Sequence, residues 1–442
     1  MNVTITRAES LQGTLTVPPD KAVCHRTLLV AAVARGDTEI RPWPEADDCQ
    51  RTLQVMQQVG VPARRLPDAV RISGRGLEGL QPPAQALFCG ESGTTLRLAA
   101  GLLAGQPFTS CLSAGPLLSR RPMRRIAEPL SQMGVRLDGS VSSAVPGELC
   151  PPLSIHGRRP LHAIRYEMPV ASAQVKSAIL LAGLFADGRT TVIERQPTRD
   201  HTERMLRRCG VTVQVDGPAV SLEPRAPTAP GVLVLPGDFS SAAFFLVAAS
   251  CVPGSRLLLR GVSLNPTRTG LLEVLRRMGA SVRTEVEEED WEPRGTVMVE
   301  ARPLQGVTVE AQEVSAMIDE LPILMVAASC AQGTTRFNGV GELRVKETDR
   351  VQSMLEALAR MRGRIGLAGR DAVEITGGAL RGSEVPSAGD HRTAMSLAVA
   401  GLTARGETTI LGAECVSKSF PQFFELLAQV AGSSTVKTVD KA

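Results

Sequence analysis

The segment RVKETDR, residues 344–350, concentrates side chains that can bind anions and move protons. Lys346 and Arg350 stand four positions apart, so a helix is expected to carry both cations on one face. Glu347 lies between them. A carboxylate beside fixed cations can exchange a proton with a bound molecule, while the cations stabilise negative charge on that molecule. The segment therefore predicts a site for anionic substrates.

Exposed pairing of Lys346 with its neighbours is the simpler explanation of that segment, because surface ion pairs are common. It does not explain why cations recur in GDHRTAM, which holds Arg392, and in VSKSF, which holds Lys418. Arg121 in RRPM could clamp a phosphate or carboxylate with two hydrogen bonds, since its guanidinium is a fixed fork. For Arg121 alone, an exposed basic patch is an equal alternative.

DKAVCHR, residues 20–26, and GESGTTLRL, residues 90–98, each end a predicted loop and begin a helix. The free N–H groups and the dipole of a helix start favour an anion. Lys21 and Arg26 add positive charge to the first segment, and Gly93 allows close approach in the second. Solvated cations and an ordinary helix cap remain alternatives for these segments.

Three further segments place polar side chains before helices. SAQVKSA carries Ser172 and Gln174, and TRDHTERM carries Thr198. In IDELP, Asp319 could accept the proton of a substrate hydroxyl. Helix capping is the alternative for Ser172 and for Asp319.

The composition narrows the class of protein. A net charge of +4 and 3% aromatic residues do not fit a general nucleic-acid binder, which needs basic excess and stacking surfaces. The apolar runs are too short to span a bilayer, and the nine cysteines form no C-x-x-C pair. We expect a cytoplasmic protein with no metal site, no membrane partner and no nucleic-acid partner.

An apolar helical run followed by a glycine and a β-rich run recurs through the chain, and an amphipathic helix follows each copy. The six copies are LLVAAVARGDTEI, LAAGLLAGQPFTSCL, ILLAGLFADGRTTVI, FFLVAASCVPGSRLLL, ILMVAASCAQGTTRF and LAVAGLTARGETTIL. They predict an α/β fold, and the 442 residues predict at least two domains. Two groups of three copies are favoured over an open solenoid. A Pro- and Gly-rich stretch near Pro236 is the best candidate for a domain crossing.

Taken in order, the motifs resemble those of the 5-enolpyruvylshikimate-3-phosphate (EPSP) synthase family nearly from end to end. They are DKAVCHR, GESGTTLRL, RRPM, SAQVKSA, TRDHTERM, IDELP, RVKETDR, DHRTAM and KSFPQF. The resemblance implies an α/β fold of two domains, each of three βαβαββ repeats with helices packed inside the sheets. We expect residues 1–19 with 237–442 to form one domain and 20–236 the other, with the active site in the cleft.

The resemblance also implies a reaction. The enolpyruvyl group of phosphoenolpyruvate moves to the 5-hydroxyl of shikimate 3-phosphate by addition and elimination, releasing phosphate, in the shikimate pathway to chorismate and the aromatic amino acids. It implies no cofactor, a monomer, and sensitivity to glyphosate, with Gly93 keeping the small residue that permits it. Both substrates are phosphorylated carboxylates, which fits the clustered cations in a nearly neutral chain.

The same resemblance assigns roles to individual residues. Asp319 is the expected base, and Glu347, assisted by Lys21, the expected acid. Shikimate 3-phosphate is expected at Lys21, Ala22, Arg26, Ser172, Ala173, Gln174, Thr198, Asp319 and Lys346. Phosphoenolpyruvate is expected at Lys21, Gly93, Arg121, Gln174, Arg350, Arg392 and Lys418.

Three departures from the family pattern lie in the first two motifs. Ala22 and Cys24 stand where the family has serines, and Glu91 stands where it usually has Asn; Glu91 could pair with an arginine. Losing a hydroxyl at Ala22 predicts weaker binding of shikimate 3-phosphate by about tenfold to a hundredfold. Two alternatives remain, namely a related transferase acting on a UDP-amino sugar and a catalytically silent anion-binding homologue.

Overall fold

The computed structural model describes residues 1–141 and 146–439, and the chain divides into two compact units. The first unit consists of Met1–Pro18 and Pro236–Ala442, and the second of Pro19–Leu235. Within the described residues each unit contains three four-stranded sheets and six α-helices.

The chain begins with two strands of the first unit, β1 (Asn2–Ile5) and β2 (Gln12–Thr16). It then enters the second unit and builds its helices and strands in turn. These are α1 (Lys21–Val33), β3 (Arg35–Arg41), α2 (Asp47–Gln58), β4 (Ala63–Leu66), β5 (Ala69–Arg75), β6 (Leu87–Phe88), α3 (Gly93–Ala104), β7 (Thr109–Ser113), α4 (Arg124–Gln132), β8 (Arg136–Val141), β9 (Leu149–His156), β10 (Arg165–Glu167), α5 (Ala173–Gly183), β11 (Thr190–Ile193), α6 (His201–Arg208), β12 (Val213–Asp216), β13 (Ala219–Leu222) and β14 (Gly231–Val234).

The remaining elements belong to the first unit. They are α7 (Phe239–Cys251), β15 (Arg256–Ser263), α8 (Gly270–Arg277), β16 (Ser281–Glu288), β17 (Arg294–Glu300), β18 (Thr308–Val309), α9 (Leu321–Cys330), β19 (Thr334–Asn338), α10 (Arg350–Arg360), β20 (Arg364–Leu367), β21 (Ala372–Thr376), β22 (Glu384–Pro386), α11 (His391–Thr403), β23 (Thr408–Leu411), α12 (Phe423–Ala431) and β24 (Val436–Val439).

The six sheets share one strand arrangement, and the order β10-β11-β13-β12 shows it in one continuous stretch of chain. The first two strands run parallel and are joined through an inner helix, here α5. The last two form an antiparallel hairpin reached through an outer helix, here α6. A parallel pair needs such a crossover, whereas an antiparallel pair can be joined by a short turn. This continuous repeat is therefore βαβαββ, and the repeats built on α3 and α9 have the same connections, which confirms the predicted α/β fold.

At both passages between the units, the last strand before the passage pairs within the unit that the chain is leaving. β2 precedes α1 in the chain, yet it pairs in parallel with β15 of the first unit. β14 precedes α7, yet it pairs in parallel with β3 of the second unit. The two repeats at the crossings have therefore exchanged their first strands. β1 completes another sheet of the first unit by pairing with β23 and β24.

The six inner helices, α1, α3, α5, α7, α9 and α11, are rich in apolar residues and are buried along nearly their whole length. Such helices lie inside a core rather than on its surface. Gly101 of α3 allows close packing on α5, since a Cβ there would stand 2.2 Å from the Ala178 carbonyl oxygen. The structure thus confirms that helices pack inside the sheets. Among the helices of the described residues, none is long and apolar enough to cross a membrane.

Most outer helices end in the left-handed glycine that the sequence predicts. Gly60, Gly134, Gly210 and Gly279 follow α2, α4, α6 and α8 with φ of 84°, 90°, 78° and 91°. After α10, however, the left-handed residue is Arg362, with φ of 61°, and not the adjacent glycine. That turn carries the cost of a side chain in a backbone conformation that glycine adopts freely.

Candidate active site

The inner helices of the second unit begin at three of the predicted site residues. Lys21, Gly93 and Ala173 are the first residues of α1, α3 and α5. The preceding side chain caps each helix by accepting backbone N–H groups; Ser172, for example, accepts from Val175 at 3.4 Å. Capping occupies a lone pair of the Ser172 hydroxyl and leaves its proton to donate elsewhere.

Lys21 is anchored by a carboxylate that was not predicted from the sequence. Its Nζ lies 2.8 Å from Oδ2 of Asp48 in the first turn of α2, and both side chains are largely buried. The two aspartates that open α2, Asp47 and Asp48, were the available signal, although acids also favour helix starts for their own sake. The pair fixes the ammonium group at the start of α1.

Arg26 lies one and a half turns further along α1 and is buried. Its Nε donates to Thr202 Oγ1 at 2.9 Å, and Nη2 donates to Ser177 Oγ at 3.1 Å. The guanidinium also reaches the Ala22 carbonyl at 2.8 Å. Arg26 is thus held in place by the hydrogen bonds that it donates to side chains of α5 and α6.

Gly93, Arg121 and Gln174 come together around a further arginine, Arg97. Arg97 Nη1 donates to Gln174 Oε1 at 2.8 Å, and Gln174 Nε2 donates to Thr94 Oγ1 at 2.9 Å. A Cβ at Gly93 would lie 2.8 Å from Arg97 Nη1 and 3.0 Å from Arg121 Nη1. Two guanidinium groups therefore face the start of α3 across a glycine.

Thr198 belongs to a buried charged group built on Lys176. The Lys176 Nζ lies 2.9 Å from Glu194 and 2.6 Å from Glu203. Burial alone would lower the pKa of Lys176, but the two carboxylates raise it on balance. Glu194 in turn accepts the Thr198 backbone N–H at 3.1 Å and also its hydroxyl. A phosphate bound by that hydroxyl would require the proton to turn away from Glu194.

In the first unit the predicted residues gather around the guanidinium of Arg350, the first residue of α10. Its nitrogens lie 2.7 Å from Glu347, 3.2 Å from Asp319 and 2.8 Å from Asp390. The Arg350 side chain is only 2% exposed. Burial alone would lower the pKa of Arg350, but the charges of Asp390, Glu347 and Asp319 raise it well above its usual range.

Two more cations extend this cluster. Arg392 Nε lies 3.4 Å from Asp319 Oδ1, and Lys418 Nζ lies 3.6 Å from Glu347 Oε1. Asp319 therefore stands between Arg350 and Arg392, while Glu347 stands between Arg350 and Lys418. The predicted base and acid share one guanidinium and differ in their second cation.

The structure corrects the expected geometry of RVKETDR. Residues Gly341–Val345 form a 3-10 helix and α10 begins only at Arg350, so Lys346 and Arg350 do not share a helical face. Lys346 instead pairs with Glu342 at 3.2 Å. Asp349 interrupts the helix by capping α10 through the Gln352 N–H at 2.9 Å. Short polar side chains favour such caps over helix interiors, which explains the error.

Asp390 is the member of this cluster that was not predicted from the sequence. It is fully buried and caps α11 by accepting the Arg392 N–H at 2.8 Å. Its other carboxylate oxygen accepts a hydrogen bond from Arg350 Nε. In DHRTAM an Asp precedes a predicted helix, so the sequence could have predicted Asp390 as a helix cap. Its pairing with Arg350, forty positions earlier in the chain, depends on the tertiary structure.

The three departures from the family pattern have different structural settings. Ala22 lies partly exposed in the first turn of α1, whereas Cys24 is fully buried and its thiol shares a hydrogen bond with the thiol of Cys49. Burial raises the pKa of the Cys49 thiol well above its usual value. The Glu91 carboxylate accepts the N–H groups of Leu117 and Leu118, a role not expected from the sequence.

Comparison with known proteins identifies the family and the fold. The family model for EPSP synthase (3-phosphoshikimate 1-carboxyvinyltransferase) matches residues 5–427. The 3-phosphoshikimate 1-carboxyvinyltransferase of Salinibacter ruber is 46% identical over 436 residues, covering 97% of this chain and 99% of the relative. That of Acidithiobacillus ferrooxidans is 47% identical over 429 residues, covering 96% of each chain. The solved EPSP synthase of Acinetobacter baumannii superposes with a TM-score of 0.87 at 40% identity, covering 99% of this chain and 100% of that one.

The fold and the charged helix starts mark a transferase of anionic substrates. By its match to the family model and to full-length relatives, the chain belongs to the EPSP synthase family. This confirms the resemblance and the enzyme class predicted from the motifs.

Proposed function

We propose that this protein transfers the enolpyruvyl group of phosphoenolpyruvate to the 5-hydroxyl of shikimate 3-phosphate and releases phosphate. Family membership supports the reaction. The observation that carries it is the sharing of one buried guanidinium, Arg350, by Asp319 and Glu347 at 3.2 and 2.7 Å. Two carboxylates held apart on one fixed cation can act at two different atoms of a substrate pair.

In this proposal Asp319 accepts the proton of the attacking hydroxyl. Glu347, assisted by Lys21, gives a proton to the methylene carbon of phosphoenolpyruvate, which builds positive character at the adjacent carbon. The oxygen of shikimate 3-phosphate adds there, and a tetrahedral intermediate forms. Loss of phosphate and of a methyl proton then restores the double bond. Positioned acids and bases of this kind each contribute about 10²–10⁴-fold to a rate.

The cations hold the anionic groups of both substrates. Phosphoenolpyruvate is assigned to Lys21, Gly93, Arg121, Gln174, Arg350, Arg392 and Lys418. Shikimate 3-phosphate is assigned to Lys21, Ala22, Arg26, Ser172, Ala173, Gln174, Thr198, Asp319 and Lys346. Burial fixes the guanidinium groups of Arg26 and Arg350. Fixed arginines can donate charge-assisted hydrogen bonds to anionic groups without reorganisation during the reaction, which supports these assignments.

The resemblance assigns substrate-binding residues to both units, and it supports a monomer that works in the cytoplasm without a cofactor. Replacement of Lys21 or of Glu347 is in each case expected to abolish phosphate release.

The test is phosphate release from phosphoenolpyruvate in the presence of shikimate 3-phosphate. Release that depends on both substrates is the expected result. No release at high concentrations of both would leave a silent anion-binding homologue, and release dependent on UDP-N-acetylglucosamine would assign the related transferase activity instead. Asp216→Asn, at an exposed hairpin end, serves as the control for variants of Asp319.

A further inference from the structure

The loop that leads to Arg121 rests on the turn that leads to α3. Gly115 donates its backbone N–H to the Gly90 carbonyl at 2.8 Å. Next to this contact, Glu91 Oε2 accepts the Leu118 N–H at 2.7 Å and Oε1 accepts the Leu117 N–H at 3.3 Å. One carboxylate thus satisfies two successive backbone donors of the loop.

The fit between this carboxylate and the loop is close. A Cβ at Gly115 would lie 2.2 Å from Glu91 Oε1, which is too short for two non-bonded atoms. Gly115 therefore leaves the space that the carboxylate occupies. Glu91 and Gly115 form a matched pair in which a larger residue at the second would expel the first.

The anchored backbone continues directly into Arg121. Residues Leu118–Arg120 form a single 3-10 turn, and the Arg121 N–H closes it on the Leu118 carbonyl at 3.0 Å. The Arg121 guanidinium then reaches back to α3, where its Nη1 lies 3.0 Å from the place of a Cβ on Gly93. The two ends of this arrangement, Glu91 and Gly93, are separated by one residue.

We propose that Glu91 is a positioning residue that sets the Arg121 guanidinium for phosphoenolpyruvate. The inference rests on the proposed function, which assigns Arg121 and Gly93 to that substrate. A glutamate offers two acceptor oxygens to the two loop N–H groups, whereas the shorter Asn usual in the family offers one. Glu91 thus acts on the loop backbone and is no ligand itself.

Removal of this carboxylate is expected to affect one substrate. Glu91→Ala leaves the Leu117 and Leu118 N–H groups without their acceptor, and the loop shifts with Arg121. Misplacement of a substrate-positioning group by about 1 Å can cost about a hundredfold in rate. We expect the KM for phosphoenolpyruvate to rise by about tenfold or more, while the KM for shikimate 3-phosphate changes by less than about twofold.

A double-mutant cycle tests the contact itself. Gly115→Ala should raise the KM for phosphoenolpyruvate as Glu91→Ala does, because the new methyl group expels the carboxylate. In the Glu91→Ala background, Gly115→Ala should add little, since the clash is gone and coupled residues are not additive. Glu91→Gln, which keeps the length and one acceptor oxygen, should recover most of the lost affinity. Gly188→Ala is the matched control, because a Cβ there meets only the Ala163 Cβ at 3.5 Å.

Several outcomes overturn the inference. An unchanged KM for phosphoenolpyruvate in Glu91→Ala refutes it, and so do fully additive effects in the cycle or equal rises in KM for both substrates. Arg121→Ala must itself raise the KM for phosphoenolpyruvate; if it does not, Arg121 is wrongly assigned and the inference falls with it. Absence of turnover by the wild type refutes the proposed function instead. If Glu91→Ala does not fold, Gly115→Ala and Glu91→Gln decide the question.

Discussion

His25 on α1 is expected to make the second unit lose stability in acid. Its imidazole is buried, and Nδ1 lies 2.6 Å from the Thr52 hydroxyl. Burial lowers the pKa of His25 from 6.5 to about 3, and the nearby charges of Lys21 and Arg26 act in the same direction against Asp48. The folded protein therefore keeps this histidine neutral where the unfolded chain would protonate it.

The effect of pH on the free energy of unfolding follows from how many protons His25 binds in each state. Between pH 6.5 and pH 3 the unfolded state binds a proton at His25 and the folded state does not, so the free energy of unfolding falls as the pH falls. The stabilisation is fully present above pH 6.5. Each pH unit in this window is worth about 1.4 kcal/mol, so His25 alone removes about 2.7 kcal/mol between pH 6.5 and 4.5.

Urea denaturation of the wild type and of His25→Asn at pH 7.0 and pH 4.5 measures this contribution. The asparagine amide occupies the place of Nδ1 and can still bond Thr52, but it does not titrate. Titrating carboxylates affect both proteins alike, so the difference isolates His25. We expect the wild type to lose about 2.7 kcal/mol more than the variant over this pH range.

A direct check is the proton NMR titration of the histidine ring signals. The signal that disappears in His25→Asn should show no inflection above about pH 4. An inflection near pH 6.5 would refute the reasoning, as would an equal loss of stability in acid for both proteins. Either result would mean that burial does not hold His25 neutral.

Three further predictions test the site and the fold. Asp319→Asn should lower kcat for phosphate release by about 10²–10⁴-fold while Asp216→Asn does not; a kcat within threefold of wild type would remove Asp319 as the base. Ala22→Ser restores the hydroxyl usual in the family and should lower the KM for shikimate 3-phosphate by about tenfold; an unchanged KM would show that a water or neighbour already replaces it. Arg362→Gly should raise the free energy of unfolding of the first unit by about 0.5–1 kcal/mol in urea denaturation, because glycine adopts the φ of 61° without strain; a loss of stability would contradict this.

Local patterns were sufficient for much of the fold. The inner helices are recognisable because an apolar run with no polar face must be buried, and the outer helices because their apolar residues recur at helical spacing. The β-rich runs behind them predict strands. The exchange of β2 and β14 was beyond such reasoning, because each pairs with a strand more than a hundred residues away.

The charged residues divide in the same way. The amino-acid sequence by itself determined which side chains are available for chemistry, since Asp319, Glu347, Arg350, Arg392 and Lys418 stand in recognisable motifs. Only the tertiary structure decided their partners. Three contacts join separate segments of the chain: Asp390 with Arg350, Asp48 with Lys21, and Glu91 with the Leu117 and Leu118 amides. Ion pairing and hydrogen bonding act at distances of about 3 Å in space, and local periodicity carries no information about which distant segment comes that close.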